Sequence, residues 1–291
     1  MKKKIEWGQV VLHILMIILC LTYIIPFLLM VSISITDEQA IVDYGYNLIP
    51  REISFEGYRM VFNNPTQLIN SYKTTIIYSI SSTILTIVLT TMTAYPLSRS
   101  NFKYKKLLTW YIFITMLFGG GLVPTYLIKT KILHLGNTIW IYILGGVSAW
   151  NVIIVRTFFQ GIPESLAESA KIDGASEFYT FIKIMIPLSK PVMATIGFMA
   201  LLAKWNDWNT SLIYIKDPKL YSLQYMLQRI LRETAFMKKM AEGNPNFNGL
   251  KQPDESLRYA TAMLASGPML IVFPFFQKYF TKGMTVGAVK G

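Results

Sequence analysis

Long stretches without one charged side chain constrain this sequence more than any other feature. Val10–Ile35, Thr74–Ser98, Leu107–Ile128, Leu135–Val155 and Tyr259–Gln277 are all charge-free. A helix crossing the hydrocarbon of a bilayer needs about 20 such residues. A further run, Ile184–Ile215, is interrupted by Lys190, Lys204 and Asp207. Counting it predicts six spans. Barrel strands would show short alternating segments, whereas these runs are continuous, so the expected class is an all-α membrane protein.

Composition agrees. Only 15% of the 291 residues are charged and 53% are hydrophobic, against about 25% charged in an ordinary soluble domain. The net charge of +12 does not make a nucleic-acid footprint, because Lys and Arg are scarce and lie between apolar runs instead of along one face. Aromatic content of 14% excludes a disordered chain. Cys20 is the one cysteine, which excludes an intrachain disulfide and a cysteine-cluster metal site. It sits in an apolar run, as a small packed side chain does. His13 and His134 match no ligand spacing, and neither a phosphate-binding loop nor a nucleophile elbow is present. No catalytic residue and no metal site are expected.

The N-terminal Met1-Lys2-Lys3-Lys4 before an apolar run also suits a signal peptide. The run is longer than a signal core and no small-x-small site follows it, so an uncleaved anchor is expected. Orientation follows from Lys and Arg in short loops. Lys2, Lys3 and Lys4, then Arg99, Lys103, Lys105 and Lys106, then Lys278, Lys282 and Lys290 fall on one side if the spans alternate; the opposite short loop has Lys129 and Lys131. This predicts N-in and C-in, with segments 37–73 and 216–258 outside. The whole of 1–291 is expected to be one transmembrane domain, with five spans in a core from about residue 70. Within the outer loop, Tyr221–Ala241 has an amphipathic stripe of Leu223, Met226, Leu227, Ile230 and Leu231, ended by Gly243–Gly249. The stripe either packs on the membrane domain or docks an external partner.

Segment 158–185 then lies in the cytoplasm. Pro163 suits a first helical turn, with Glu164 and Glu168 at the positive end of the dipole. Gly174 permits a left-handed helix stop, and Phe178–Ile184 begins a second amphipathic piece. Two short helices around a glycine make either an ordinary surface loop or a rigid knob through which a soluble partner moves the spans.

Glu168-Ser169-Ala170, Gly174 four residues on, and Ile184-Met185-Ile186-Pro187 resemble the E-A-A-x-x-x-G … I-x-L-P loop of binding-protein-dependent ABC importer permeases. Ser169 replaces the first alanine and Ile186 the leucine; Asp173-Gly174-Ala175 is as in that family. The C-terminus from Phe276 to Gly291, and Trp205-Asn206-Asp207-Trp208 before Leu212-Ile213-Tyr214, resemble the carbohydrate group, of the kind of the second maltose permease subunit. The resemblance implies the type I permease fold in the plasma membrane. It implies a heterodimer with a second homologous permease, two ATP-binding subunits and an external solute-binding protein. ATP and Mg would be bound by those partner subunits, with no cofactor in this chain, no nucleic acid and a carbohydrate, an oligosaccharide, as cargo. It also implies that Glu168, Ser169, Ala170, Asp173, Gly174 and Ala175 contact the ATPase, that the tail with Lys282, Gly283 and Gly287 reaches toward the ATPase pair, and that segment 216–258 faces the binding protein.

Lys204 and Asp207 are ionisable groups inside an apolar run, and such groups are functional candidates. Three apart on a helix, they can pair; alternatively Lys204 snorkels to the interface. Trp205, Asn206, Asp207 and Trp208 are a candidate substrate pathway, stacking on sugar rings, or an aromatic belt. A transporter or channel acting alone is the competing class; it would show repeated halves and broken helices around charged sites. A membrane enzyme would need a convergent set of reactive groups, which is absent from the sequence.

Overall fold

The computed structural model describes the backbone of residues 7–242 and 255–288, and the side chains of 7–237, 239–240 and 255–277. The described residues are helical apart from turns and one isolated antiparallel bridge, Thr36–Ile53. The chain forms two compact units, Met1–Leu68 with Met226–Pro268, and Ile69–Tyr225 with Met269–Gly291.

In the first unit α1, Trp7–Ser34, has 28 residues and is about 42 Å long at 1.5 Å per residue, enough to cross a bilayer. Its side chains from Val11 to Ile25 are largely exposed, as lipid-facing side chains are. Asp37 caps α2, Glu38–Tyr44, by accepting from the Gln39 amide at 2.9 Å, and Gly45 ends it at φ 71°. A short α3, Glu56–Val61, follows. Glu38 reaches the start of α15, Glu255–Ala288: its Oε1 accepts from the Glu255 amide (3.1 Å) and its Oε2 from the amide and hydroxyl of Ser256 (both 3.0 Å). One carboxylate thus satisfies orphan donors and the positive dipole end of a long helix. Gly57 lets α3 approach this point, since a Cβ there would stand 2.8 Å from the Ser256 backbone. Beside it the Tyr46 hydroxyl donates to Glu255 Oε2 at 3.1 Å. Desolvation, and then the neighbouring carboxylate, push this phenol up to about 12.

The second unit is organised around α4, Pro65–Ser98. Its pattern is the reverse of a soluble helix. Ser71, Thr75, Tyr78 and Ser82, spaced by four, three and four, are buried, whereas Ile69, Ile76, Ile80 and Ile84 are exposed. Small polar residues facing protein and apolar ones facing outward are what lipid solvation selects. Ala94, Tyr95 and Leu97 at its end form a core with Val152, Val155, Phe159, Phe181, Met185, Val192 and Ile196.

Three of the expected spans are not single straight helices. The run Leu107–Ile128 is not one helix: α5, Lys105–Leu117, stops before Gly119–Gly121, and α6, Leu122–Leu127, with a π-turn at Ile128–Ile132, leaves at 111°. Three consecutive glycines, the last at φ 79°, carry no side chain to hold helical backbone. The run Leu135–Val155 holds only α7, Trp140–Ile143, and α8, Ala149–Gln160, separated at Gly145 and Gly146 (φ 87°). The run Ile184–Ile215 contains a π-segment Phe181–Met185, α11, Ile186–Leu188, α12, Lys190–Trp205, and α13, Asn209–Tyr214. It bends by 77° between Leu188 and Lys190, where Pro187 and Pro191 remove amide donors. Among the described residues three helices are long and apolar enough to span, α1, α4 and Glu255–Gln277 of α15, or up to five if each bent pair is one span.

Candidate functional site

The loop between α8 and α12 is built by local hydrogen bonding. α9, Glu164–Ile172, carries Glu164 in its first turn and Lys171 in its last, both favourable to the helix dipole. It ends in a Schellman motif: the Ala175 amide donates to the Ala170 carbonyl (2.9 Å) and the Gly174 amide to the Lys171 carbonyl (3.1 Å). Gly174 sits at φ 80°, and a Cβ there would meet nothing within 4 Å. The Ser176 hydroxyl then caps α10, Glu177–Thr180, by accepting from the Tyr179 amide at 3.2 Å. Two caps back to back fix the turn between the helices.

Ala167 and Ala170 turn inward, while Glu168, Ser169, Asp173 and Gly174 are exposed and Ala175 is half-buried. Ile172 is 87% exposed, and Phe178 and Tyr179 are exposed with it. A small apolar surface framed by two carboxylates and backed by rigid helices presents itself outward.

The knob is also tied down, by residues that motif reading does not single out. Glu177 Oε2 accepts from the Tyr95 hydroxyl at 2.6 Å and lies 3.7 Å from Arg99 Nε. Glu164 accepts from the Ser100 hydroxyl. Both anchors are at the end of α4. Phe181 and Met185, just past α10, are in the core with Tyr95. A push on the knob therefore reaches α4 and α12 through buried contacts and charge-assisted bonds.

The Trp205–Trp208 segment is built differently. Trp205 is 3% exposed, so its ring packs inside the chain instead of presenting a face outward. Asn206 is exposed, and Asp207 and Trp208 are half-buried. Asp207 does not pair with Lys204. Its Oδ1 accepts from the Thr210 amide (2.9 Å) and its Oδ2 from the Thr210 hydroxyl (2.6 Å), capping α13. Lys204 does not snorkel either. Its Nζ donates to the Tyr142 carbonyl at 3.0 Å, one of the carbonyls that α7 leaves unbonded where Gly145 breaks it. A cation on a helix C-terminus is a favourable cap. Gly145 is what permits it, because a Cβ there would stand 2.5 Å from Lys204 Nζ.

Around this cap lies a buried polar knot. The Tyr78 and Tyr142 rings stack at 4.3 Å. The Tyr78 hydroxyl donates to the Lys204 carbonyl (3.0 Å), and that of Tyr142 to the Leu220 carbonyl (2.9 Å), with Ser211 Oγ at 2.6 Å. Ser211 Oγ bonds Ser222 Oγ at 2.8 Å and Ser222 Oγ donates to the Asp207 carbonyl at 2.8 Å. Thr75 Oγ1 accepts from the Leu223 amide at 2.8 Å. The stripe on α14, Leu223–Glu242, is buried at Leu223, Met226 and Leu227; the expected break at 243–249 lies outside the described residues. Lys282, Gly283 and Gly287 fall on the backbone of α15, and 289–291 lie outside the described residues.

Comparison with known proteins gives four findings. Residues 5–286 match the family described as binding-protein-dependent transport system inner membrane component. The chain is 36% identical over 270 residues to the protein LplC of Bacillus subtilis (strain 168), covering 92% of this chain and 90% of that one. It is 33% identical over 281 residues to the polygalacturonan/rhamnogalacturonan transport system permease protein YtcP of the same organism, covering 95% and 96%. Its fold is similar, at a TM-score of 0.79 and 24% identity over 96% of this chain and 99% of the other, to a chain of a bacterial ABC transporter involved in the import of the acidic polysaccharide alginate.

Proposed function

The chain belongs to the binding-protein-dependent transport system inner membrane components, and from that membership we propose that it is a permease subunit of an ATP-driven importer of oligosaccharides. The names of the relatives support the cargo: YtcP is a polygalacturonan/rhamnogalacturonan permease, and a 30% identical relative, MelC, a melibiose/raffinose/stachyose import permease. In this reading the chain crosses the plasma membrane six times with both ends in the cytoplasm. The bent pairs and the α7–α8 segment are its broken spans. It pairs with a second permease, two ATPase subunits and an external binding protein, to which segment 216–258 is directed.

The observation that carries the reading is the knob around Gly174. Glu168, Ser169, Ala170, Asp173, Gly174 and Ala175 form the surface that the ATPase grips, with Lys282, Gly283 and Gly287 of the tail directed to the same subunits. ATP binding and ADP release must favour different permease conformations for import to be driven. The chain's part is mechanical. The double-capped knob moves as a body, and the Glu177–Tyr95–Arg99 anchor passes that movement to α4. Of the candidate pathway residues, Asn206 is exposed, with its amide bonded to the Leu202 carbonyl and Gln224, Trp208 is half-buried, and Trp205 and Asp207 hold the fold.

The broken helices also suit a transporter acting alone. One experiment separates the two. The chain is purified with its native partners, reconstituted, and assayed for oligosaccharide uptake and ATP hydrolysis. Co-purification of an ATPase and ATP-dependent uptake are expected. Gly174→Asp should lower uptake at least about ten-fold while the chain stays in the membrane, because a side chain with a charge meets a gripping cleft while nothing within its own chain is displaced. Uptake by a partner-free preparation without ATP, or full uptake by Gly174→Asp, would sink the reading.

A further inference from the structure

A cavity lies where the turn after α4 meets α8. It has a volume of about 400 Å³, and its lining includes Lys103, Lys105, Lys106 and Arg156 with Thr109 and Trp110. No carboxylate lines it. Three of these cations come from one turn, which alone is an ordinary interfacial charge cluster. The fourth comes from elsewhere: Arg156 is on α8, and α5 packs against α8. Arg156 is half-buried, and its bond among the described residues is from Nε to the Leu97 carbonyl at 3.1 Å. Both terminal amino groups of its guanidinium are thereby aimed without a protein acceptor among the described residues. Neither does any of the three lysines pair with a carboxylate among them; Lys103 lies 5.8 Å from the Tyr104 ring. Glu164 lines the neighbouring cavity, which shares Ser100 and Lys105 with this one, and accepts from the Ser100 hydroxyl. Concentrating cations that could each have found solvent or an acid is costly unless an anion joins them.

We propose that this cavity binds the phosphate headgroup of an acidic phospholipid. The chemistry required is a phosphate oxyanion: a guanidinium fork with free donors engages two of its oxygens and lysines supply point charge. The membrane is the source that the setting favours. Trp110 and Tyr104 are 56% and 55% exposed, as amphipathic rings at headgroup depth are. Leu107 and Tyr111, one turn along α5, are more exposed still and offer apolar surface to the acyl chains. The leaflet is the inner one on the topology of the proposed function, and the inference rests on that reading only for the choice of leaflet.

The test places the full chain, with whatever partners co-purify, in nanodiscs of phosphatidylcholine containing brominated phosphatidylglycerol or brominated phosphatidylcholine. Trp110 quenching is read as the difference from Trp110→Phe. Phosphatidylglycerol should be preferred at least about five-fold, and the exposed pair Lys103→Gln with Lys106→Gln should bring that preference close to unity, since each surface cation contributes roughly five-fold. Arg156→Gln should abolish it. Equal quenching by the two lipids overturns the site. Loss of the preference in millimolar inorganic phosphate overturns the lipid as the ligand and assigns the cavity to a soluble anion. Labelling of Lys103→Cys in a Cys20→Ser background from each side of the membrane checks the leaflet separately. Labelling from outside alone overturns the topology and leaves the headgroup site standing.

Discussion

The knob around Gly174 and the knot around Gly145 are both built on a glycine that ends a short helix, and they use it in opposite ways. At Gly174 the backbone is left-handed and the space beyond is empty. The carbonyls of α9 are satisfied from within by the Ala175 and Gly174 amides. At Gly145 the space is filled by an ammonium group, and the Tyr142 carbonyl is satisfied from outside by Lys204. The first glycine presents a finished surface with open space beyond it. The second holds together parts of the chain that are distant in sequence. A turn that is complete by itself and exposed is suited to contact with a partner; one that needs its neighbours is suited to keeping a fold.

Substitutions should break this contrast in a definite order of stability loss. Tyr142→Ala comes first. It removes a fully buried ring, its stack on Tyr78 and two hydroxyl contacts, and should cost about 3–5 kcal/mol. Unfolding of the purified chain in detergent, followed by tryptophan fluorescence, measures it; a loss below about 1 kcal/mol would mean that the knot does not hold the fold.

Gly145→Ala comes next. The added methyl displaces Lys204 Nζ, the end of a flexible side chain, and leaves the Tyr142 carbonyl unpaired, at about 1–3 kcal/mol. Lys204→Met should cost a similar amount. Because both changes break one bond, the double variant should lose little more than either single one. Additive losses would show that the two residues act separately.

Glu177→Gln is the smallest in stability, below about 1 kcal/mol, since the carboxylate is 58% exposed where it meets Arg99. Its effect should appear instead in function: ATP hydrolysis retained and uptake reduced several-fold, because the knob is gripped but no longer drives α4. Equal loss of hydrolysis and uptake would place Glu177 in assembly and not in transmission. Gly174→Asp sits at the far end of the same contrast in function, with the largest loss of uptake; in unfolding it should cost about 1 kcal/mol, the strain of an L residue at φ 80°.

The knob was legible in sequence because its determinants are local. A helix start at Pro163, a stop at Gly174 and the spacing to Pro187 lie within 25 residues, and the structure places them as helix, left-handed turn and helix. The apolar class was legible for a similar reason: α1, α4 and α15 are long enough for their composition to speak. The broken helices were not. A window that counts charges passes over Gly119–Gly121 and Gly145–Gly146, which are uncharged but cannot hold helix without side chains. The burial of Trp205 was not legible, because an aromatic beside polar residues has the same composition whether it stacks on a ligand or fills a core. Lys204 and Asp207 misled because helical spacing suggested a pair, whereas the helix ends between them and each caps a different helix end. The Tyr95–Glu177 bond joins residues 82 apart, and no local pattern reports such a pairing.

The inverted pattern of α4 has a consequence for synthesis. The helix is apolar enough to enter the bilayer as soon as it is made. Yet Thr75 is the acceptor for the Leu223 amide, 148 residues later. At a synthesis rate of about 5–20 residues per second, that hydroxyl waits on the order of 7–30 s for its partner. Throughout that interval the serine and threonine face of α4 lies open within the membrane. An unfinished chain thus carries a polar face that the finished one conceals.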